Sequence, residues 1–423
     1  MKKTLALILG IFLAVNVFAQ DSQCGDYLYW SFNSTTGELI ISGTGDMDNY
    51  NISAPWYSHR NNITSISLPD GITHIGDYAF RNCIGLTTII IPNSVTSIGE
   101  RAFSGCRGLT SVTIPNSVTL IGNQAFDGCS SVHTVIFEDG NAVLDFSPSA
   151  FSDCPIETLY VGRDVLSSLA IRNSGTIRTA LMQVTIGNYV TAIPDDAFYR
   201  CTGLTSITIP NGVTSIGNSA FRDCVGLTEI IIPEGVTGIG DDAFRGCSGL
   251  TSVTLPNSIT SIGRGSFRDC SNLTSITIPE LVISIGSYTF GGCIGLTEIT
   301  IPENVISIDR NAFNGCTGLT DVFNFGSTPQ NIDRSVFSGL ILSDVILHVP
   351  ACLGDLYRSA HVWQDFNIEE GICLSNNIND TVSTEMPNAI GYYSILGIKL
   401  DKEPQSGVYI IMYDNGTTEK RMR

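Results

Sequence analysis

The chain has 423 residues, a formal net charge of -18 at pH 7, 13 cysteines and 5 histidines. The excess of negative charge argues against nucleic acid or an anionic membrane as the partner. Beyond the N-terminal segment, no stretch of the sequence is long and apolar enough to span a bilayer.

Residues 1–19 have the pattern of a secretory signal peptide. Lys2 and Lys3 precede an apolar run over residues 5–18, and small residues stand where cleavage is expected. The mature chain is therefore predicted to begin near Gln20, and the loss of the two lysines changes the formal charge from -18 to -20. Three polar residues precede Cys24 in place of a lipobox, so we expect no lipid anchor at this end.

Residues 20–62 have the pattern of a β-hairpin with aromatic packing, and we predict that they cap the repeats that follow. A cap is needed because an open first coil would expose strand edges and apolar columns to water. Similarly, residues 324–371 are predicted to form a C-terminal cap. Residues 372–388 are polar and aperiodic, which is typical of a linker.

A unit of 23 residues repeats over residues 63–323. In the coil from Leu109 to Cys129 (LTSVTIPNSVTLIGNQAFDGC), alternating apolar and small polar residues predict a short strand that Pro115 ends, and Gly122 allows the next turn. The Ala-Phe-x-x-Cys spacing that follows predicts one helical or 3₁₀ turn facing the core. Such a unit cannot bury its own apolar face, so the repeats should stack as an α/β solenoid of mostly parallel strands. The positions expected in its core are Phe103, Cys106, Phe126, Cys129, Phe221, Cys224, Phe244, Cys247, Phe267 and Cys270.

One coil region, residues 155–200, is irregular. Its segments ETLYVGRDV and LMQVTIGNYVTAI are predicted strands of two coils, separated by an insert from Leu166 to Ala180. The insert breaks the uniformity of the surface and is a candidate contact point, and a tolerated loop is the alternative.

The repeated motifs LTSITIP, VTSIG and AFRDC resemble the leucine-rich repeats of BspA-type surface proteins over about residues 63–320. This resemblance implies a leucine-rich repeat solenoid that adheres to host matrix proteins, coaggregates with other bacteria, or does both.

Residues 389–423 contain two strand-like runs joined by Asp-Asn-Gly turn chemistry. The run GVYIIMYDNG and the basic Lys420, Arg421 and Arg423 resemble a C-terminal sorting domain of the type IX secretion system, in a short form that lacks the upstream strands. The resemblance implies export to the outer surface of a gram-negative bacterium. A bare β-hairpin tail is the alternative.

The cysteines do not have the spacing of a metal site. No closely spaced Cys-x-x-Cys pair is present, so no zinc site is predicted. We expect the repeated cysteines to be buried free thiols that serve as small hydrophobes, and a disulfide ladder is the alternative. Cys352 and Cys373 lie outside the repeated column and can either pair or remain separate.

Catalytic patterns are lacking. The histidines are scattered, and neither a Gly-x-Ser-x-Gly motif nor a phosphate-binding loop is present. Asp46 and Asp48 suggest a calcium loop, but Tyr50 stands where a third oxygen ligand is required. The sequence therefore predicts no catalytic residue, no metal and no cofactor.

Two surfaces are candidates for binding. On each strand, the side chains between the buried ones should point to the concave side of the solenoid, and a surface that only reflects β-propensity is the alternative. The second candidate is a column of Arg222, Arg245 and Arg268, which could bind an acidic surface or could form a neutralised strip of salt bridges. The candidate residues on the strands are Ser206, Thr208, Glu229, Ser252, Thr254, Ser275, Thr277, Glu298 and Thr300.

The sequence thus predicts a secreted, monomeric surface protein that binds a host or bacterial surface protein without catalysis. A structural envelope or matrix protein and a glycan-binding accessory protein are the alternatives. Repeat scaffolds serve many ligands, so the sequence does not name the partner.

Overall fold

The structure, a computed structural model, describes residues 22–165 and 179–371 and the backbone of four strands between residues 389 and 422. The predicted signal peptide, the linker and nearly all of the predicted insert lie outside the described residues. The chain divides into two compact units, Met1–Gly226 and Leu227–Arg423, and each is described by itself.

The N-terminal unit begins with the predicted hairpin. Antiparallel strands β1 (Gln23–Gly25), β2 (Leu28–Asn33) and β3 (Glu38–Asp46) are followed by a 3₁₀ turn at Tyr57–His59. Strand β3 then pairs in parallel with β4 (Ser65–Ser67) and β5 (Gly71–Ile75), so the hairpin covers the edge of the first coil.

The coils of the N-terminal unit contribute to two parallel ladders, although residues 86–92 form no strand. The longer strands pair in the order β7, β9, β11, β12 and β14, and very short strands form the second ladder beside them. Equivalent positions are in register, as for Ser111 with Thr134 and Thr158 with Gln183. These contacts confirm the predicted parallel solenoid. The strands are β6 (Ser97–Ile98), β7 (Ser111–Ile114), β8 (Leu120–Ile121), β9 (Thr134–Phe137), β10 (Asp145–Phe146), β11 (Thr158–Val161), β12 (Gln183–Ile186), β13 (Ala192–Ile193), β14 (Ser206–Thr208) and β15 (Ser215–Ile216).

The third side of each regular coil is the segment around Ala-Phe-x-x-Cys, for which a helical or 3₁₀ turn was expected. Its hydrogen bonds differ from those of such a turn. The N–H of Phe80 donates to Ala102 O of the next coil at 2.7 Å, whereas the N–H of Arg81 donates to Tyr78 O within its own coil at 3.3 Å. Tyr78 and Asn82 have positive φ values of 56° and 60°. Alternate N–H groups can therefore bond to the neighbouring coil, which a helical turn does not allow because its N–H groups point along one axis.

The C-terminal unit repeats the same architecture and has a short helix near the last of its parallel strands. Strands β21, β23, β24 and β25 form one parallel sheet, and a short helix α1 (Gly354–Arg358) precedes β25. Three 3₁₀ turns lie at Arg334–Phe337, Leu342–Asp344 and Trp363–Asp365. The strands are β16 (Glu229–Ile231), β17 (Gly238–Ile239), β18 (Ser252–Thr254), β19 (Ser261–Ile262), β20 (Ser284–Ile285), β21 (Glu298–Ile301), β22 (Ser307–Ile308), β23 (Asp321–Asn324), β24 (Ile346–Val349) and β25 (Asn367–Glu370).

The last strands of the chain form a four-stranded antiparallel sheet in the order β27, β26, β28 and β29. These strands are β26 (Ala389–Ser394), β27 (Lys399–Leu400), β28 (Val408–Tyr413) and β29 (Thr418–Met422). The tail is thus larger than the bare hairpin considered as an alternative.

Phenylalanine and cysteine form continuous columns inside each unit. Neighbouring phenylalanine rings stack with centroids 5.0 to 5.8 Å apart, as between Phe103 and Phe126 and between Phe267 and Phe290. Seven cysteine thiols beside them donate to a phenylalanine carbonyl, as from Cys106 Sγ to Phe80 O at 3.1 Å. The expectation of buried free thiols is confirmed for the repeated column. The free, buried cysteines are Cys24, Cys83, Cys106, Cys129, Cys154, Cys201, Cys224, Cys247, Cys270, Cys293 and Cys316. Cys352 is disulfide-bonded, and Cys373, whose pairing with Cys352 was one of two alternatives, lies outside the described residues.

The coils approach so closely at one repeated glycine that no side chain fits there. A Cβ added to Gly122 would lie 2.7 Å from the backbone nitrogen of Glu100 in the preceding coil. At Gly128, by contrast, the nearest atom would be 3.9 Å away, although the residue has a φ of +68°. Gly122 is therefore required for the spacing between coils, and Gly128 for its local turn.

Candidate functional site

The strand face is the surface formed by the outward side chains of the first strand in each coil. Its predicted residues are exposed or half-buried between buried neighbours, because side chains alternate along a strand. Ser206 and Thr208 lie on this face in the N-terminal unit. The remaining predicted residues lie on it in the C-terminal unit: Glu229, Ser252, Thr254, Ser275, Thr277, Glu298 and Thr300.

The sequence interpretation missed the large side chains on this face. In the N-terminal unit, Thr113 is in register with Ile136, and Ile136 with Tyr160. Ile90, which stands 23 residues before Thr113, is 82% exposed. Because each of these residues replaces the usual threonine, alignment of the irregular coils to the 23-residue register would have revealed them.

A shallow cavity of about 390 Å³ adjoins this row in the N-terminal unit. Ile90, Pro92 and Pro115 give it an apolar lining, and the acidic Asp70 and Glu138 also line it. The cavity therefore offers apolar contact beside negative charge.

A buried arginine supports the corner next to this cavity. Arg163 is 0% exposed, and its guanidinium donates to Asn116 O at 2.6 Å and to Pro115 O at 2.9 Å. Burial lowers the pKa of Arg163 to about 10, and the charge of Glu138 opposes that shift. Since the two acceptors precede Arg163 by 47 and 48 residues, the arginine ties together segments that are far apart in sequence.

At Tyr160, the hydroxyl donates a hydrogen bond to Asp139 Oδ1 at 2.7 Å. This bond, together with burial and the negative charge of Asp139, raises the pKa of Tyr160. The ring is consequently fixed on the strand face with its apolar body beside a carboxylate.

The C-terminal unit carries an aromatic pair on its strand face. The rings of Phe323 and His348 stack with centroids 4.3 Å apart, and His348 Nε2 lies 2.8 Å from Asp321 Oδ1. Burial tends to raise the pKa of Asp321, but hydrogen bonds from His348 and Thr320 outweigh it and lower that pKa. These contacts hold the ring of His348, on β24, against Phe323 and Asp321 of the neighbouring strand β23, and they stabilise the ionised form of Asp321.

The predicted arginine column is accompanied by carboxylates. Arg222 Nε, in the N-terminal unit, lies 3.9 Å from a carboxylate oxygen of Asp223. In the C-terminal unit, Arg245 and Arg268 both approach Asp269 Oδ2, at 3.8 and 3.5 Å from their Nε atoms. Each arginine of the column thus lies within 3.9 Å of a carboxylate oxygen, as the interpretation of a neutralised strip requires. Ion pairs that are partly solvated contribute little to stability, so the arginines stay available to an acidic partner, as the other interpretation requires.

Among residues 22–165 and 179–371, no group of three or more His, Cys, Asp or Glu side chains is placed to hold a metal ion. Nor does any helix within the described parts of the chain have the length and apolarity needed to cross a membrane.

The sequence profile of the BspA type leucine rich repeat region matches residues 50–178, 170–293 and 237–357, and no curated protein matches the chain. A leucine-rich repeat protein from Bacteroides ovatus is 26% identical with a TM-score of 0.46, over 78% of this chain and 99% of that one. A leucine rich cell surface protein from Faecalibacterium prausnitzii is 27% identical with a TM-score of 0.36, over 78% and 95%. The pneumococcal vaccine antigen PcpA is 17% identical with a TM-score of 0.42, over 83% and 98%.

Proposed function

Because the chain belongs to the BspA-type leucine-rich repeat family, we propose that it is a secreted surface protein that binds another protein through its strand face. Its activity is adhesion to a host matrix protein or to another bacterial cell, with no catalytic step. The observation that carries this proposal is the strand face itself, where outward side chains repeat in register between buried ones. A binding surface built on hydrogen-bonded strands is already ordered, so binding costs little conformational entropy.

Export follows from the two ends of the chain. In this proposal, residues 1–19 are the signal peptide and residues 389–423 are a short type IX sorting domain, which brings the repeats to the outer surface of a gram-negative cell. The antiparallel sheet of β26 to β29 is consistent with a folded sorting domain in residues 389–423. Residues 20–62 and 324–371 serve as caps of residues 63–323, and residues 372–388 as the linker. The protein acts as a monomer.

Adhesion of coated beads tests the proposal. Beads carrying the purified chain are applied to an array of host matrix proteins and bacterial cells at low and physiological salt. Saturable binding to one target is the expected result. Binding to no target would favour a structural envelope or matrix role, and binding to purified glycans alone would favour the accessory role.

The arginine column is tested in the same assay as a separate contact. A variant with Arg222, Arg245 and Arg268 replaced by alanine should bind less to an acidic target, and the deficit should shrink at high salt. Unchanged, salt-sensitive adhesion would remove the column from the binding surface.

A further inference from the structure

The strand face of the N-terminal unit has one row in which large side chains replace the usual threonine. Ile136 and Tyr160 are in register with Thr113, and Ile90 stands one repeat before it. We name Ile90, Thr113, Ile136 and Tyr160 the Ile90 stripe. Ile90 contributes little to the core because 82% of its surface is exposed, and threonine at the same repeat position is compatible with the fold. Ile136 and Tyr160 are half-buried, so the stripe joins the exposed side chain of Ile90 to partly accessible apolar surface. A contiguous apolar patch of this kind is typical of an interaction surface.

Carboxylates accompany this stripe. Asp70 and Glu138 line the cavity of about 390 Å³ that contains Ile90 and Thr113. Asp139 holds the hydroxyl of Tyr160 at 2.7 Å. Asp70 is exposed, and the structure shows no ion pair or side-chain hydrogen bond for it among the described residues. Arg163, which meets this corner at Pro115 and interacts with the charge of Glu138, is fully buried and donates its hydrogen bonds to backbone carbonyls.

We propose that the Ile90 stripe, with Asp70, Glu138 and Asp139, docks a protein segment that carries both apolar and Lys or Arg side chains. This inference rests on the proposed binding function and names the chemistry of the partner. The apolar groups of the segment cover Ile90 and the prolines of the cavity, and its cations face the carboxylates. The formal charge of -18 favours the same partner through long-range attraction.

A protein segment fits this surface better than a glycan. Sugar rings are recognised by flat aromatic faces, whereas Ile90 and Ile136 are branched aliphatic side chains and Tyr160 is the single aromatic ring of the stripe. Aliphatic surface is instead matched by the aliphatic side chains of another protein, with charged groups at the rim.

The test uses three 12-residue peptides of fixed composition, of which one alternates valine and lysine, one valine and glutamate, and one serine and lysine. Their binding to the full chain is measured by fluorescence anisotropy. The valine and lysine peptide should bind at least about tenfold more tightly than either of the others, because only it provides both apolar and cationic contacts.

Two matched variants place the binding on the stripe. Ile90→Thr supplies the residue found at the position of Thr113, so the variant should fold with an unchanged circular dichroism spectrum and melting temperature. Ile231→Thr is the control, because Ile231 stands at the same repeat position in the C-terminal unit and is 69% exposed. Ile90→Thr should weaken binding of the valine and lysine peptide about fivefold to tenfold, and Ile231→Thr less than twofold.

The opposite results are equally clear. If the serine and lysine peptide binds as tightly as the valine and lysine peptide, the binding is due to the overall negative charge of the protein and the apolar part of the proposal is wrong. If Ile90→Thr and Ile231→Thr weaken peptide binding equally, the Ile90 stripe is not the binding site. If Ile90→Thr leaves saturable adhesion to an array target intact, the stripe is excluded while the proposed adhesion stands. If the wild-type chain binds no array target, the adhesion proposal falls, and the peptides still decide the chemistry of the stripe.

Discussion

Buried thiols should make this protein sensitive to alkaline pH. Burial raises the pKa of Cys24, Cys83, Cys224 and Cys316 to about 12. Burial also raises the pKa values of Cys106, Cys270 and Cys293 well above the ordinary range. At Cys154 a hydrogen bond with Cys129 raises the pKa, and burial acts in the same direction. Eight cysteines thus stay protonated in the folded protein at a pH where free cysteine ionises.

The size of the effect follows from linkage. A raised pKa in the folded state means that the thiol contributes its full stability below the unfolded pKa of about 8.5, and that this contribution is lost as the pH rises toward the folded pKa. At a pH of about 9.5 each such thiol reduces the free energy of unfolding by roughly 1 kcal/mol. The five thiols of the N-terminal unit together reduce it by roughly 5 kcal/mol, and the three thiols of the C-terminal unit by roughly 3 kcal/mol. A whole domain is commonly stable by only about 5 to 15 kcal/mol.

Pulsed thiol labelling during a pH titration measures this directly. No reductant is added, so that the disulfide of Cys352 stays closed, and the chain is exposed briefly to a maleimide at each pH. The number of labels is measured by mass spectrometry while circular dichroism is followed in parallel. Labelling of the repeated column should begin only where the strand signal is lost, between a pH of about 9 and 10. Labelled molecules should carry several labels or none, because the thiols of a unit are exposed together. Gradual labelling with a midpoint near 8.5 and an intact spectrum would refute the reasoning.

Other substitutions separate the remaining contacts. Gly122→Ala should prevent stable folding or cost at least about 3 kcal/mol in urea unfolding, whereas Gly128→Ala should cost only about 1 kcal/mol for its positive φ; similar costs would contradict the close approach of the coils. Arg163→Ala should cost about 2 to 4 kcal/mol, since two backbone carbonyls lose a charged donor, and an unchanged urea midpoint would show that the tie is dispensable. Asp321→Asn should lower stability by about 0.5 to 1 kcal/mol at neutral pH. The pKa of Asp321 is lower in the folded protein than in the unfolded chain, where it is about 3.9, so the ionised Asp321 stabilises the fold fully above that pH. This stabilisation is lost as the pH falls through the folded pKa. The difference in stability between Asp321→Asn and the wild type should therefore disappear at that low pH.

The repeat made the solenoid predictable, but the third side of the coil was not. Apolar periodicity reports which residues are buried, and it placed Phe103 and Cys106 correctly in the core. It says little about backbone conformation where the pattern is short. Tyr78, Arg101 and Gln124 adopt positive φ values without being glycine, which no local sequence signal predicts. Their conformation becomes favourable only because the next coil provides carbonyl acceptors for alternate N–H groups.

Stacking also explains why the regular coils are poor guides to binding. In the C-terminal unit, Thr251 Oγ1 donates a hydrogen bond at 3.1 Å to Thr228 O, one repeat earlier. Thr274 Oγ1 donates in the same way to Thr251 O at 3.3 Å, and Thr297 Oγ1 to Thr274 O at 3.4 Å. Those threonines repeat because each one bonds to the coil before it. Repetition at such positions therefore reflects the ladder, and it carries no information about a partner.

Outward residues that depart from the repeat have a different meaning. Exposure of 82% at Ile90 and 69% at Ile231 shows that neither isoleucine is held by core packing, and threonine stands at the same repeat position in the following coil, as Thr113 and Thr254. The two differ in their surroundings, because Ile90 lines a cavity together with Asp70 and Glu138. A partner that needs apolar and charged contacts together can thus distinguish the coil of Ile90 from that of Ile231, although both coils break the repeat in the same way.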